Sequence, residues 1–342
     1  MPQRSRRQYL GLVAGALAGC GATNAPADTK TASGTATSTP VENPETATRT
    51  PERTSPEPGS PTDEATPTPA TTNPDGPPDR YEVTVRRGVT FRETPLGALK
   101  MDLYRPSGTT DRPLLVHVHG GAWRFGDKGY ERSARRYAAA GIATASIQYR
   151  LSTQATYPGP VRDVVAAIRW ARANADNLHI DPDRVALVGM SAGGHLAALV
   201  AAAPEERAFS PPDFHPEVSP AVSAVVGHSG VYDLTTPGLR GSSLVRSFVG
   251  ASFEDDPDLY RAAAPIHRVD DEHPPTLLFH GTDDAIVPYP QATAYRDALD
   301  REDVTVSLFT GDGAGHVFYD ADQWFDRTLT RQYDFLESKL SP

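Results

Sequence analysis

The feature that most constrains the fold of this chain is a series of short apolar runs that alternate with helix-like segments. The run Leu114–His119 carries Leu or Val at four of its six positions, which is typical of a strand buried on both faces. Pro160–Ala173 predicts a helix, because proline suits the first helical position and valines recur on one face. The other predicted strands are Tyr81–Arg92, Leu99–Tyr104, Ile142–Tyr149, Val185–Gly189, Val222–Val226, Thr276–His280 and Val304–Phe309. This alternation predicts an α/β fold: a mostly parallel, eight-stranded sheet flanked by helices, with an antiparallel pair at its start.

A change in composition divides the chain near residue 80. The stretch Asn24–Pro78 is built from Thr, Pro, Ala, Ser and Glu, with almost no Leu, Ile, Phe or Trp. Such a stretch cannot bury enough apolar surface to offset its ordering entropy, so residues 21–80 are predicted to be a disordered linker. Residues 81–342 remain as the folded domain, about 260 residues, a size that one α/β domain fills.

The first 20 residues have the pattern of a targeting segment. Three arginines precede the apolar run Leu10–Ala18, which is too short to span a bilayer. Ser5–Leu10 resembles a twin-arginine export signal, and Leu17–Cys20 resembles a lipobox in which Cys20 carries lipid. We therefore expect an exported protein, anchored at the cell surface by lipid at Cys20 or secreted, with no other membrane contact.

The charge balance argues against a nucleic-acid partner. The net charge is −10, from 43 acidic and 33 basic residues. Binding the phosphate backbone of a nucleic acid instead requires clustered Lys and Arg side chains. Lysine occurs only at Lys30, Lys100, Lys128 and Lys339. An acidic, Lys-poor composition resembles proteins of salt-loving archaea, although a GC-rich genome produces a similar bias.

Cysteine and histidine usage predicts no metal site and no cofactor. The single Cys20 excludes a disulfide within the chain and a cysteine-based metal site. Neither a Walker lysine nor a metal-spaced histidine cluster is present, and the glycines around Gly313 are not followed by a βαβ unit. Composition does not predict an oligomeric state.

The strongest chemical signal is Gly189-Met190-Ser191-Ala192-Gly193, which fits the pattern G-x-S-x-G. It follows the predicted strand Val185–Gly189 directly and precedes a helix-like run from His195 to Ala203. This is the context in which a sharp strand-to-helix turn exposes a nucleophilic serine, and larger side chains would clash in so tight a bend. Ser191 is therefore the candidate nucleophile.

Two later segments supply a candidate acid and base. In the run Thr282–Pro288 the pattern D-x-x-V-P favours Asp284 over Asp283, which is interpreted as a turn residue. A carboxylate at this position would hold an imidazole in one tautomer and stabilise its charged form. His316 follows both the serine and the acid, so it is the candidate general base. Other histidines, His195, His228 and His280, are assigned to packing or local hydrogen bonds.

Together these motifs resemble the α/β-hydrolase superfamily over Tyr81–Leu340. The segments HGGAWRFGDK, YRLS, DPDRVALVGMSAGGHLAAL and HGTDDAIVP are similar to carboxylesterases and lipases of the feruloyl-esterase-like and hormone-sensitive-lipase-like groups. The resemblance implies an oxyanion hole formed by the N–H groups of Gly121, Ala122 and Ala192. Ala122 departs from a third glycine, but it still offers its N–H if its backbone angle is ordinary.

The resemblance also implies how substrate is enclosed. The predicted strand that begins at Tyr81 leaves no room for a large N-terminal cap, so a lid would come from Ala203–Pro220 or Val231–Pro274. Trp123 and Met190 are candidates to line the substrate pocket, and core packing is the alternative role for both.

The resemblance implies hydrolysis of a small-molecule carboxylic ester through an acyl-enzyme. Amide or peptide hydrolysis by the same triad, of the arylformamidase or peptidase type, is an alternative that the sequence discriminates weakly. A non-catalytic binding protein on the same fold is a third alternative; such proteins typically lose a triad member, and here all three are present.

Overall fold

The computed structural model describes residues 76–212 and 214–341. The predicted signal segment with Cys20, and the predicted linker up to residue 75, lie outside the described residues.

Residues 76–80, which the sequence placed in the linker, lie on the folded domain. Two of these five residues are buried. The backbone N–H groups of Arg80 and Tyr81 both donate to the carbonyl oxygen of Ala139, at 2.8 and 2.9 Å. The folded domain therefore includes this short segment in addition to the predicted range from residue 81.

The strands are β1 (Val83–Thr94), β2 (Gly97–Pro106), β3 (Arg112–Val118), β4 (Ala143–Ile147), β5 (Ile180–Met190), β6 (Ala224–His228), β7 (Thr276–Gly281) and β8 (Val306–Gly311). Within the described ranges they form one eight-stranded sheet in the order β1-β2-β4-β3-β5-β6-β7-β8. β2 is antiparallel to both of its neighbours, and every other neighbouring pair is parallel. This confirms the predicted fold class.

The helices are α1 (Glu131–Ala140), α2 (Gly159–Ala173), α3 (Ala175–Leu178), α4 (Ala192–Ala202), α5 (Pro237–Arg240), α6 (Ser243–Val249), α7 (Pro257–Ala262), α8 (Pro290–Arg301) and α9 (Asp322–Leu340), with short 3₁₀ helices at Arg207–Phe209, Pro265–His267 and Phe318–Asp320. α1 and α9 pack on one face of the sheet, and α2, α4 and α8 pack on the other. Both faces of the central strands are therefore covered.

This two-sided burial explains the apolar runs of the sequence. In β3, Leu114 and Val116 pack with α2 and α4, whereas Leu115 between them packs with α1 and α9. Successive side chains of a strand point to opposite faces, so a strand covered on both faces needs apolar residues without alternation. Fully burying each such side chain stabilises the fold by about 1.5–3 kcal/mol.

The largest boundary difference from the sequence prediction lies in β5. This strand begins at Ile180, whereas the sequence predicted a start at Val185 after a turn at Asp181–Asp183. Arg112 of β3 pairs with Ile180, and Leu114 pairs with Val185, so the predicted turn is an irregularity inside the strand pairing. Proline has no N–H for the ladder, which explains why pairing is interrupted there.

The parallel strands bring the candidate residues to one edge of the sheet. The loop His119–Trp123 follows β3, Ser191 follows β5, Asp284 lies in the loop after β7, and His316 lies in the loop after β8. Open α/β sheets bind ligands at the carboxyl ends of their strands, so this edge is where a site is expected.

Candidate active site

Ser191 occupies a strained turn between β5 and α4. Its φ is 55° and its ψ is −119°, a backbone conformation that non-glycine residues seldom adopt. The turn is held by two backbone hydrogen bonds, from Ser191 N–H to His228 O at 2.8 Å and from His195 N–H to Ser191 O at 3.0 Å. Strain retained at one residue by its surroundings is characteristic of functional sites.

The two glycines of the motif allow this turn to pack closely. A Cβ on Gly189 would overlap the carbonyl group of Gly193, and a Cβ on Gly193 would overlap the carbonyl oxygen of Val118. Both positions therefore exclude any side chain for steric reasons, which is the reason that the sequence motif suggested.

The loop after β3 also departs from ordinary backbone angles. Gly121, Ala122 and Trp123 have φ values of 119°, 51° and 56°. The backbone angle of Ala122 is therefore not ordinary, because this alanine occupies the left-handed region that favours glycine. The loop is held by hydrogen bonds from Phe125 N–H to Gly121 O at 2.9 Å and from Ser152 N–H to Trp123 O at 2.7 Å.

The three N–H groups predicted to form an oxyanion hole lie in buried surroundings. Ala122 and Ala192 are 7% and 1% exposed. Ala192 is the first residue of α4, so its N–H has no acceptor within the helix and lies at the positive end of the helix dipole. Within the described residues, the N–H groups of Gly121 and Ala122 donate to no protein acceptor. All three donors are therefore free for a ligand.

Asp284 and His316 form a direct hydrogen-bonded pair. The distance from His316 Nδ1 to Asp284 Oδ2 is 2.7 Å, and both residues are 7% exposed. Asp284 Oδ1 accepts two further hydrogen bonds at 2.9 Å, from the N–H groups of Ile286 and Val287. Asp283 is exposed, and its carboxylate accepts a 3.4 Å hydrogen bond from the neighbouring Thr282 hydroxyl, so the geometry distinguishes the two aspartates.

A second histidine contacts the same carboxylate, and the sequence predicted for it either packing or local hydrogen bonds. His280 Nε2 lies 2.9 Å from Val287 O and 3.2 Å from Asp284 Oδ2. Because a carbonyl oxygen only accepts, Nε2 must carry the proton and donate to both oxygens. The available signal was position, since His280 lies at the end of β7 and Asp284 follows it four residues later in the same motif.

The pKa of Asp284 reflects these contacts. Burial alone raises the pKa, but the hydrogen bonds from His280 and His316 outweigh burial and hold it well below its usual range. The carboxylate therefore stays ionised at neutral pH and keeps accepting the proton on His316 Nδ1. This leaves His316 Nε2 without the proton in the neutral ring, as a general base requires.

The structure brings Asp284 and His316 together and places Ser191 on the same edge of the sheet. Across the described ranges, the Ser191 hydroxyl makes no hydrogen bond to either of them. Nucleophile–base hydrogen bonds are often long in ligand-free enzymes and shorten when substrate binds.

Two cavities of different size lie at this edge of the sheet, and of the two only the smaller is lined by Ser191. The smaller has a volume of about 20 Å³ and is lined by Ala122, Trp123, Ser191, Ala192, Val231, Leu239, Leu244, Val245, Ile286 and Val287. The larger has a volume of about 800 Å³ and extends between α1 and α9, from Gly120 and Met190 to Gln332. The two predicted pocket residues thus lie in different cavities, Trp123 in the small one and Met190 in the large one.

The two predicted lid segments also differ. Val231–Pro274 contributes Val231, Leu239, Leu244 and Val245 to the small cavity and so covers the serine. Ala203–Pro220 contributes no described residue to either cavity, and its Ala208 carbonyl instead accepts a hydrogen bond from Arg162 on α2.

The fold and the site define the class of this protein as an α/β-hydrolase. A mostly parallel sheet carries a serine at a strand–helix turn and a bonded Asp–His pair at the ends of later strands. The chain belongs to the BD-FAE family, whose model matches residues 101–299.

Relatives and solved structures with esterase names resemble this chain. Esterase LipC of Mycobacterium tuberculosis is 34% identical over 245 residues, 68% of this chain and 60% of that protein. Esterase LipQ of the same organism is 37% identical over 60% of this chain and 50% of its own length. The matches therefore span about half to three-fifths of these curated relatives.

A solved esterase structure matches the fold of this chain over nearly the whole length of the solved protein. The propionate-bound esterase Est2 of Thermogutta terrifontis superimposes with a TM-score of 0.65 at 26% identity, covering 77% of this chain and 96% of that chain.

Among the residues described for our protein, no helix is long and apolar enough to cross a membrane. In the same residues, no group of three or more His, Cys, Asp or Glu side chains is arranged to hold a metal ion.

Proposed function

We propose that this protein is a serine hydrolase that cleaves small-molecule carboxylic esters through an acyl-enzyme. The observation that carries the proposal is the 2.7 Å hydrogen bond from His316 to Asp284, on the strand edge where Ser191 occupies its strained turn. The esterase names of relatives and of a structural neighbour support the same activity.

In the proposed reaction, Ser191 Oγ attacks the carbonyl carbon of the ester while His316 Nε2 takes the hydroxyl proton. Asp284 holds the ring in the required tautomer and stabilises its positive charge. The oxygen that becomes negative is stabilised by hydrogen bonds from the free N–H groups of the loop after β3 and of Ala192. His316 then protonates the leaving alcohol, and the bond between the acyl carbon and the alcohol oxygen breaks.

The second half of the reaction releases the acid. A water molecule attacks the acyl-enzyme while His316 takes its proton, and the same N–H groups stabilise the second oxyanion. The bond between the acyl carbon and Ser191 Oγ breaks, and the proton returns from His316 to the serine. No residue beyond those named is needed to balance protons.

The test is p-nitrophenyl acetate hydrolysis by the wild type and Ser191→Ala. The triad mechanism predicts that kcat falls by about 10⁴-fold or more in the variant. Ser229→Ala is the matched control, because Ser229 is also a buried serine with positive φ after a strand end. Retained activity in Ser191→Ala, or equal loss in both variants, would contradict the proposal.

We further propose that the protein is exported and anchored by lipid on Cys20. Support comes from the sequence of residues 1–20, with its arginine pair before an apolar run and its lipobox-like end. The wild type expressed in a host with twin-arginine export should partition into detergent, and Cys20→Ala should partition into water. Identical partitioning of both forms would overturn the anchor.

A further inference from the structure

The loop after β3 directs its free N–H groups to one side because its carbonyl groups are bonded on the other. His119 Nδ1 donates to Gly120 O at 2.8 Å, and Phe125 N–H donates to Gly121 O at 2.9 Å. In a trans peptide, the carbonyl of one residue and the N–H of the next point in opposite directions. These bonds therefore turn the N–H groups of Gly121 and Ala122 to the side where the described chain offers no acceptor.

Tyr149, in the loop after β4, holds the peptide unit that precedes these donors. Its hydroxyl donates to His119 O at 2.9 Å, and its ring stacks on the His119 imidazole with 4.2 Å between centroids. The N–H side of the same peptide unit is held as well, because Gly120 N–H donates to Tyr130 OH at 3.3 Å. Tyr149 and His119 are 3% and 4% exposed, so both bonds to this peptide lie in buried surroundings.

The peptide unit that Tyr149 holds lies directly against the nucleophile. A Cβ on Gly120 would lie 3.4 Å from the Cβ of Ser191 and 2.9 Å from Met190 O. A rotation of this peptide would therefore move the N–H of Gly121 relative to Ser191. An oxyanion is stabilised by donors about 2.7–3.1 Å from it, so a small displacement of the donor lowers the rate.

A buried ion-pair network fixes the segment that carries Tyr149. Asp163 of α2 is fully buried, and its Oδ2 accepts hydrogen bonds from the backbone N–H of Arg150 at 2.9 Å and from Arg150 Nε at 2.8 Å. Its Oδ1 accepts a hydrogen bond from Arg92 of β1 at 2.5 Å. Because Asp163 bonds the main chain of Arg150 as well as its side chain, it fixes the path of the chain beside Tyr149.

We propose that Tyr149 is a positioning residue of the oxyanion hole, and that Asp163 acts with it by fixing the segment from Tyr149 to Ser152. This inference rests on the proposed function. Ser152 N–H adds a contact with Trp123 O at 2.7 Å, so the segment holds the loop after β3 at both of its ends. Tyr149 acts through the backbone of that loop, not by contact with the substrate.

The first experiment compares Tyr149→Phe with Tyr260→Phe in the full chain. Each substitution removes one hydroxyl from a buried tyrosine that donates to a backbone carbonyl, of His119 in one case and of Ala251, at 3.0 Å, in the other. Tyr149→Phe keeps the ring that stacks on His119. It should lower kcat for p-nitrophenyl acetate by about 10-fold or more with KM close to wild type, whereas Tyr260→Phe should keep kcat near wild type.

A second readout separates oxyanion stabilisation from general damage to the protein. p-Nitrophenyl thionoacetate carries sulfur in place of the carbonyl oxygen, and sulfur is a weaker hydrogen-bond acceptor than oxygen. The ratio of kcat/KM for the oxo ester to that for the thiono ester should therefore fall by about 5-fold or more in Tyr149→Phe. It should not change in Tyr260→Phe, because a loss of folded protein lowers both rates equally.

Asp163→Asn tests the link to the ion-pair network. Titration with a fluorophosphonate counts the functional sites, so kcat is compared per folded site. Asp163→Asn should lower the oxo-to-thiono ratio, and the double variant with Tyr149→Phe should lose less kcat than the product of the two single losses, because both act on one segment. Arg92→Lys, which keeps the charge but changes the donor geometry, is the milder variant and should change the ratio in the same direction.

Three results would overturn the inference while Ser191→Ala remains inactive. These are an unchanged oxo-to-thiono ratio in Tyr149→Phe, an equal fall of this ratio in Tyr260→Phe, or a loss in the double variant that equals the product of the single losses. An active Ser191→Ala variant would instead refute the proposed function itself, so the two failures are distinguishable.

Discussion

The catalytic edge has two halves that are built in different ways. In the acid–base half, the carboxylate of Asp284 accepts four hydrogen bonds, from the N–H groups of Ile286 and Val287 and from His280 and His316. In the nucleophile half, Ser191 and the loop Gly121–Trp123 hold positive φ angles, and the N–H groups of Gly121 and Ala122 have no protein acceptor in the described chain.

This difference teaches how each half prepares for reaction. Hydrogen bonds fix the orientation of the acid–base half before substrate binds, so removing one hydrogen-bond partner should lower kcat. Packing holds the nucleophile half in a strained conformation with donors free for an oxyanion, so relieving strain there should change stability more than rate.

The largest effect on kcat is expected from a substitution in the acid–base half. Asp284→Asn keeps the side-chain shape but presents an amide to His316, so the imidazole adopts the wrong tautomer and kcat should fall by about 10³–10⁴-fold. Asp283→Asn is the matched control and should keep kcat close to wild type, because Asp283 is exposed. Steady-state kinetics on p-nitrophenyl acetate measure both; a comparable loss in the two variants would refute the assignment of the acid.

A smaller effect should come from His280, which acts through Asp284 and is a positioning residue. His280→Gln should lower kcat by about 10- to 100-fold, as expected for slight misplacement of a catalytic group, and leave KM nearly unchanged. The control is His273→Gln, which replaces another buried histidine, bonded to Tyr295. A change in KM alone, or an equal effect of both variants, would show that His280 has only a structural role.

The pH dependence of the free energy of unfolding tests the protonation of His195, which accepts a hydrogen bond from Trp123 in the wall of the small cavity. Burial lowers the pKa of His195 to about 4, whereas an unfolded histidine titrates near 6.5. The unfolded state therefore binds more protons between these values, and the free energy of unfolding should fall as pH drops from about 6.5 to 4, by about 3 kcal/mol for one such group.

The variant His195→Gln isolates this contribution. A glutamine offers both an acceptor to Trp123 and a donor to Ala263, as the neutral imidazole does, but does not titrate. Urea unfolding at several pH values should give a shallower dependence in the variant between pH 6.5 and 4. Parallel curves for the two proteins would show that His195 does not contribute to this dependence.

The smallest effect concerns strain in the nucleophile half. Ala122→Gly should stabilise the fold by up to about 1 kcal/mol, because the left-handed cost of alanine exceeds the added entropy of unfolded glycine. Activity should remain near wild type, since glycine offers the same N–H. Ala139→Gly in α1 should instead destabilise by about 1 kcal/mol; urea unfolding that shows the same sign for both would contradict the strain argument.

The sequence predicted the fold because its signals are local. Apolar runs such as Leu114–His119 report two-sided burial directly, and the serine motif places Ser191 between a strand and a helix. The choice of Asp284 over Asp283 rested on motif register alone, and the structure places the Asp284 carboxylate 2.7 Å from His316 Nδ1.

The remaining features depend on contacts between distant segments. Nothing near Ala122 in the sequence predicts its φ of 51°, because the hydrogen bond between Ser152 and Trp123 joins the loop to a segment after β4. The small cavity likewise needs α5 and α6 to pack over Ser191, which no local pattern specifies.

The central claim is that Ser191 is the nucleophile activated by the Asp284–His316 pair, and covalent labelling tests it most directly. A fluorophosphonate probe is added to the full chain, and the modified peptide is identified by mass spectrometry. We predict one adduct, on Ser191, formed far more slowly in Asp284→Asn. An adduct on another residue, or no adduct on a folded protein that hydrolyses esters, would contradict the account.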